Sequence, residues 1–176
     1  MKRLFFMDLK NYDENARHFR RPSVRAIILR DGKAAMVHSL KYDYYKFPGG
    51  GIEEGESFHA ALIREVKEES GLVVIPDSIR DFGSVLRIQR GTKAVNEVFE
   101  QETFHYRCDV EETIQKQQLD GYEADEQFTL EFVAPGTAIN VNRKKEHGPK
   151  DQVMLKREAR VLELLEQTAE SGLLQQ

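Results

Sequence analysis

The sequence predicts a three-layer α/β domain in which a mixed β-sheet lies between helices. Three observations carry this expectation. Apolar Phe104, Tyr106, Cys108 and Val110 alternate with Thr103, His105, Arg107 and Asp109, the period of a half-buried strand. The runs Val24–Arg30 and Lys33–His38 flank Asp31-Gly32, a two-residue hairpin signal. Helical patterns at 57–71 and 151–167 interrupt the strands, without the repeated βαβ rhythm of a doubly wound sheet.

Taken in order, residues 3–9 read as a short strand and 11–21 as polar and irregular, so that 1–22 forms an amino-terminal extension. The near-continuous apolar stretch 26–29 inside the hairpin suggests a central strand covered on both faces. Tyr42, Tyr44, Tyr45 and Phe47 lead into Pro48 and the cluster Gly49-Gly50-Gly51. These aromatics suit stacking on a nucleobase or, equally, packing within the sheet. A helix follows, with Ser57 at the N-cap and Gly71 at the left-handed C-terminal position. Short strands are expected at 73–75, 82–88 and 128–133, a turn at Arg90–Lys93, and a long strand at 98–110. Residues 111–122 read as a loop of variable conformation, 135–142 as a short helix, and 151–170 as a carboxy-terminal helix. That last helix would dock on the sheet or form a homodimer contact, with a frayed tail after it.

At 176 residues the chain is one domain's worth, with 40% hydrophobic and 32% charged residues. No run reaches the length of a membrane span. Asp8 and Lys10 break the apolar start too early for a signal peptide, so a cytoplasmic protein is expected. The single cysteine, Cys108, excludes an intrachain disulfide and a multi-cysteine zinc site and reads as a small buried hydrophobe. The net charge of −4 is unevenly spread: residues 1–30 carry eight Lys/Arg against three Asp/Glu, and residues 97–131 two against eleven. A basic amino-terminal arm steers polyanions or is a solvated edge. The acidic whole argues against a broad nucleic-acid-binding surface.

The chain turns on residues 50–72, GGIEEGESFHAALIREVKEESGL. Glu65, Glu68 and Glu69 stand at i, i+3 and i+4, one face of a helix. Like charges at that spacing destabilise an isolated helix, and a cation bound between them reverses the cost. Carboxylates without sulfur or an adjacent histidine suit a hard ion such as Mg²⁺ or Mn²⁺. Arg64 is placed to tether a neighbouring carboxylate in a bidentate pair. Taken alone, such a cluster is also what a solvated acidic helix face looks like. Here Gly50, Glu56, Arg64-Glu65-Val66, Glu68-Glu69 and Gly71-Leu72 fill all nine fixed positions of a 23-residue pattern, and in this the sequence resembles the Nudix hydrolases, the MutT-like family.

The resemblance implies an α/β/α sandwich with this stretch as a loop–helix–loop. It also implies hydrolysis of a nucleoside diphosphate linked to another moiety, with Mg²⁺ or Mn²⁺ as cofactor and a small nucleotide as partner. By position, Glu65, Glu68 and Glu69 match the metal-binding glutamates, with Glu65 or Glu69 the base that activates water. Arg64 matches the arginine that holds them. Glu56 supports the loop and reaches metal through water, and the Gly50 carbonyl is a further ligand. Tyr45, Phe47, Gly49 and Gly50 are the candidate substrate-binding residues. The family often adds a carboxylate from a later loop; Glu126 is favoured here, ahead of Glu123 and Asp125. His59 and His105 lack metal-ligand spacing and read as structural.

Fifteen residues past the motif, where family members for ADP-ribose commonly carry a proline and dinucleoside polyphosphate enzymes a tyrosine, this chain has Arg87, Ile88 and Gln89. Signatures for NADH and coenzyme A are also missing, which leaves nucleoside triphosphates, oxidised ones included, and nucleotide-sugars. The alternative is a non-catalytic Nudix domain acting as a nucleotide sensor or interaction module. Retention of every glutamate in the motif, with no room for a winged helix, weighs against it. Removal of an mRNA cap would need an RNA surface, for which Arg17, Arg20, Arg21 and Arg25 are the hint.

Overall fold

The computed structural model describes residues 1–91, 96–144 and 146–170, with 169 and 170 by their backbone alone. The second half of the expected turn at Arg90–Lys93, and 171–176 of the expected frayed tail, lie outside the described residues.

The Asp31-Gly32 signal does what its chemistry requires. Both residues have positive φ, 50° and 73°, the type I′ geometry that matches strand twist. They join β4 (Leu29–Arg30) to β5 (Lys33–Ser39). β5 pairs antiparallel with β4, β6 (Tyr44–Lys46) and β9 (Phe128–Val133). The expected strand 24–30 is divided at Ile28, and β3 (Ser23–Ile27) belongs to a second, mixed sheet. There β1 (Arg3–Asp8) runs parallel to β7 (Arg80–Arg90), and β7 runs antiparallel to β8 (Glu97–Arg107). β8 takes both β2 (Arg17–Arg20) and β3 in parallel on its other side. Pro22, which has no N–H to give a ladder, separates these two strands.

Residues 1–22 thus supply two strands of this sheet. β2 escaped the pattern reading of 11–21 because all four of its side chains are exposed and leave no apolar alternation to detect. Its backbone pairs with β8 while His18 and Arg20 meet Glu100 at 3.1 and 3.3 Å. The expected strand at 73–75 shrinks to one bridge, Val74 to Val110.

The free edge of β3 is the seam to the functional loop. Val24 N–H donates to the Gly50 carbonyl at 3.0 Å and Ala26 N–H to the Pro48 carbonyl at 2.9 Å. Side chains alternate across this strand. Val24, Ala26 and Ile28 pack with Ala61, Leu62 and Val66 of α1 (Phe58–Ser70). Ile27 packs on the opposite face with residues of α3 (Pro135–Asn142) and α4 (Gln152–Glu170). The result is helix, sheet, helix, the Nudix-type α/β/α sandwich.

One expectation changes on the α4 side. β8 is buried on both faces: Thr103 and His105 are fully covered, because Arg157 of α4 donates to Thr103 Oγ1 at 2.9 Å. The apolar stripe of α4 (Leu155, Ala159, Leu162, Leu165) is buried within the chain, which is the docked arrangement of the two expected. Residues 111–120 contain no helix or paired strand beyond the bridge at 110, but they are tied to α1. Gln118 N–H bonds the Glu68 carbonyl at 2.8 Å, Gln115 N–H bonds that of Gly71 at 2.7 Å, and the Gln117 amide bonds that of Glu69. These glutamines satisfy carbonyls that a helix end leaves open.

Candidate active site

α1 is fixed at both ends. Ser57 Oγ accepts from Ala60 N–H at 3.1 Å, and Gly71 adopts φ 74°. A Cβ at Gly50 would stand 2.2 Å from Glu65 Oε2, so the carboxylate end of Glu65 would have to shift. The loop backbone and the helix carboxylates therefore touch.

Arg64 organises the mouth of the site. Its Nε and Nη2 fork onto the two oxygens of Glu56, each at 2.9 Å, and Nη1 reaches Glu65 at 2.9 Å and Glu68 at 3.2 Å. Nη2 also donates to the Gly51 carbonyl at 3.2 Å. The guanidinium holds the Glu56 carboxyl below its usual range. Glu65 moves the other way: burial first, then the neighbouring Glu69, raise it against the pull of Arg64. Glu69 is 1% exposed. Its Oε2 accepts from Gly49 N–H at 2.9 Å and its Oε1 is paired with Lys46 Nζ.

The later loop corrects the sequence reading. Residues 121–125 are a short helix, α2 (Gly121–Asp125), opened by a capping box in which Asp120 and Glu123 bond each other's backbone N–H. Glu123, not Glu126, turns into the cleft. It accepts from Tyr122 Oη at 3.2 Å, and burial, with the neighbouring Glu69 adding to it, pushes its carboxyl up to about 7. Glu126 is enclosed elsewhere: Tyr44 Oη donates to it at 2.7 Å and Lys150 forms an ion pair with it. Lys150 lies within 5.8 Å of the ring centres of Tyr42, Tyr44 and Tyr122. Asp125 is exposed and paired with Lys41 at 2.7 Å.

The aromatic candidates are also placed away from the cleft. Tyr45 stacks on His38 with centroids 4.2 Å apart and donates to Glu131 at 2.8 Å. Phe47 is 0% exposed, edge-on to His105. Both are held by sheet packing. Gly49 and Gly50 remain at the site through their backbones. His105 is buried and pushed down to about 3 by desolvation, His59 lies edge-on to Tyr106, and burial pushes the Cys108 thiol up to about 12.

The cleft has a volume of about 260 Å³ and is lined by Gly50, Glu65, Glu68, Tyr122, Glu123 and Arg21, among others. Arg21 also lines an adjoining groove of about 500 Å³ with Phe19, Arg87, Gln89, Arg90 and Phe99. Lys46 was missed as a site residue, whereas Glu123 stood behind Glu126 among the candidates and Arg21 was named only within the basic amino-terminal arm. Only the pattern Asp120-x-x-Glu123, a helix-start signature, was there to be read.

The donors fit a hard divalent cation: they are oxygens only, and Glu69 presses electrostatically on both Glu65 and Glu123. Among the described residues, no three His, Cys, Asp or Glu groups converge on one point. Arg64 and Lys46 draw the carboxylates towards themselves instead.

A mixed sheet between helices, with a glycine loop feeding a helix of clustered glutamates, defines a loop–helix–loop carboxylate fold. A model of the NUDIX domain matches residues 19–156, and the chain belongs to the Nudix hydrolase family. It is 41% identical over 64 residues to the RNA pyrophosphohydrolase of Hydrogenovibrio crunogenus, covering 36% of this chain and 38% of that protein. The RNA pyrophosphohydrolase of Teredinibacter turnerae is 46% identical over 55 residues, 30% and 32% of the two chains. The match thus spans about a third of the length of these relatives. A NUDIX hydrolase from Nitrosomonas europaea superposes with a TM-score of 0.55 at 18% identity, covering 81% of this chain and 90% of that one. The E. coli ORF135 protein gives 0.51 at 23%, covering 82% and 91%. These two establish the fold. No helix among the described residues is long and apolar enough to cross a membrane.

Proposed function

We propose that this protein is a metal-dependent pyrophosphohydrolase that cleaves the pyrophosphate bond of a nucleoside polyphosphate. The observation that carries the reading is the acidic cleft itself, where one arginine gathers Glu56, Glu65 and Glu68 while the carboxyls of Glu69 and Glu123 lie close enough to press on each other. Glu65, Glu68 and Glu69, with the Gly50 carbonyl, would hold Mg²⁺ or Mn²⁺. When bound, such an ion neutralises phosphate oxygens and acidifies a water. Glu123, at about 7, is tuned to accept a proton near neutral pH. Arg64 keeps the carboxylates oriented, and Arg21 at the rim offers a guanidinium to phosphate.

The test is a hydrolysis screen with Mg²⁺ or Mn²⁺ over nucleoside triphosphates, nucleotide-sugars, ADP-ribose and dinucleoside polyphosphates. Metal-dependent release of phosphate or monophosphate is expected, and Glu69→Gln should still bind nucleotide yet lose turnover by about 10²-fold or more. Full activity in that variant would remove Glu69 from the site.

A second reading, that the polyphosphate is the 5′ end of an RNA, is favoured by the groove next to the cleft. It pairs arginines with Phe19 and Phe99, whose ring centres are 6.2 Å apart, a surface for phosphate and base. The relatives named RNA pyrophosphohydrolase support it. Adding a 5′-triphosphorylated oligonucleotide to the screen decides between the two.

A further inference from the structure

The ammonium of Lys46 lies inside the acidic cluster. The residue is 4% exposed. Its Nζ is paired with Glu69 Oε1 and stands 4.7 Å from the centre of the Phe128 ring. It also favours the charged form of Glu123. A buried lysine is retained only where a partner offsets its desolvation, and here the partner is a carboxylate at the heart of the proposed metal site. Each oxygen of Glu69 already has a partner, Lys46 at Oε1 and the Gly49 amide at Oε2.

We propose that Lys46 is the internal counter-ion of the site, occupying Glu69 until a divalent cation displaces it and so setting the threshold for metal loading. The proposal rests on the metal site assigned above. A point charge on a flexible four-carbon stem can leave a carboxylate without breaking a fixed fork. Arg64 cannot do the same, since its guanidinium is committed to several carboxylates at once. Two cations on one buried carboxylate repel strongly at low dielectric, so ammonium and metal compete for Glu69.

The test uses the whole chain, stripped of metal and titrated with Mn²⁺, read by calorimetry and by thermal unfolding. Lys46→Met is expected to lower the metal-free Tm, to tighten Mn²⁺ binding by tenfold or more, and to enlarge the Tm gain on Mn²⁺ addition. Lys46→Arg, which keeps the charge, should bind Mn²⁺ no more tightly than the native chain. Arg87→Met, which loses the pair with Asp151 outside the cleft, should lower Tm and leave Mn²⁺ affinity unchanged. Unchanged or weaker Mn²⁺ binding in Lys46→Met would overturn the proposal, as would tighter binding in Lys46→Arg. A native chain that takes up no Mn²⁺ would instead remove the metal site on which the proposal stands.

Discussion

Glu123 and Glu126 stand three residues apart, and their neighbours give them opposite work. Glu123 meets another carboxylate, whereas Glu126 meets a tyrosine hydroxyl and an ammonium. Glu123→Gln is therefore expected to lower kcat with little loss of stability, and Glu126→Gln to lower Tm while leaving kcat/KM within about threefold; steady-state kinetics and thermal melts separate them. The raised pKa of Glu123 also sets a pH dependence. Its folded value, about 7, lies above its ordinary 4.5, so its contribution to stability is complete below about 4.5 and is lost as pH rises through 7. Metal-free native protein should lose stability across that window in urea melts, and Glu123→Gln should lose less. Sequence reasoning favoured Glu126 over Glu123, and spacing along an acidic stretch says nothing about which carboxylate meets Lys150 and which lies beside Glu69.

At the scale of elements, what lay within a few residues was legible. Ser57 and Gly71 were readable as caps and Asp31-Gly32 as a turn, since each follows from local backbone chemistry. Gly71→Ala is expected to cost more than the ~1 kcal/mol of an ordinary glycine substitution. A Cβ there would add a clash 2.1 Å from the Gln115 carbonyl to an unfavourable φ. Urea denaturation measures the loss. Partners from afar were hidden. The glutamines at 115, 117 and 118 looked like a polar loop, and their bonds to the end of α1 have no signature in the sequence.

Across the whole molecule, the two helical layers meet the sheet by different chemistry. α1 packs through apolar side chains, whereas α4 adds a buried ion pair. Arg157 donates to Glu158 at 2.9 and 2.6 Å, and Glu158 accepts from Phe47 N–H at 3.0 Å, one residue before Pro48. Burial would raise the Glu158 carboxyl, but Arg157 and Arg25 outweigh it and hold it low. Glu158→Ala strands Arg157 without a counter-charge and should cost ~3–5 kcal/mol, read as a shift in the urea midpoint at constant m. The sandwich was legible because its helix and strand periods are strong. The pair was not, because an Arg-Glu step in a charged helix looks solvated until Thr103 and His105 are found beneath it.

The seam between β3 and the glycine loop makes the strand an observer of the site. Because the amides of Val24 and Ala26 end on the carbonyls of Gly50 and Pro48, their deuterium exchange is limited by opening of that loop. Anything that settles on the Gly50 carbonyl should slow these two amides together, while Arg25 and Ile27, which pair with β8, keep their own pace. Two backbone protons of a neighbouring strand would thus report whether the loop is occupied.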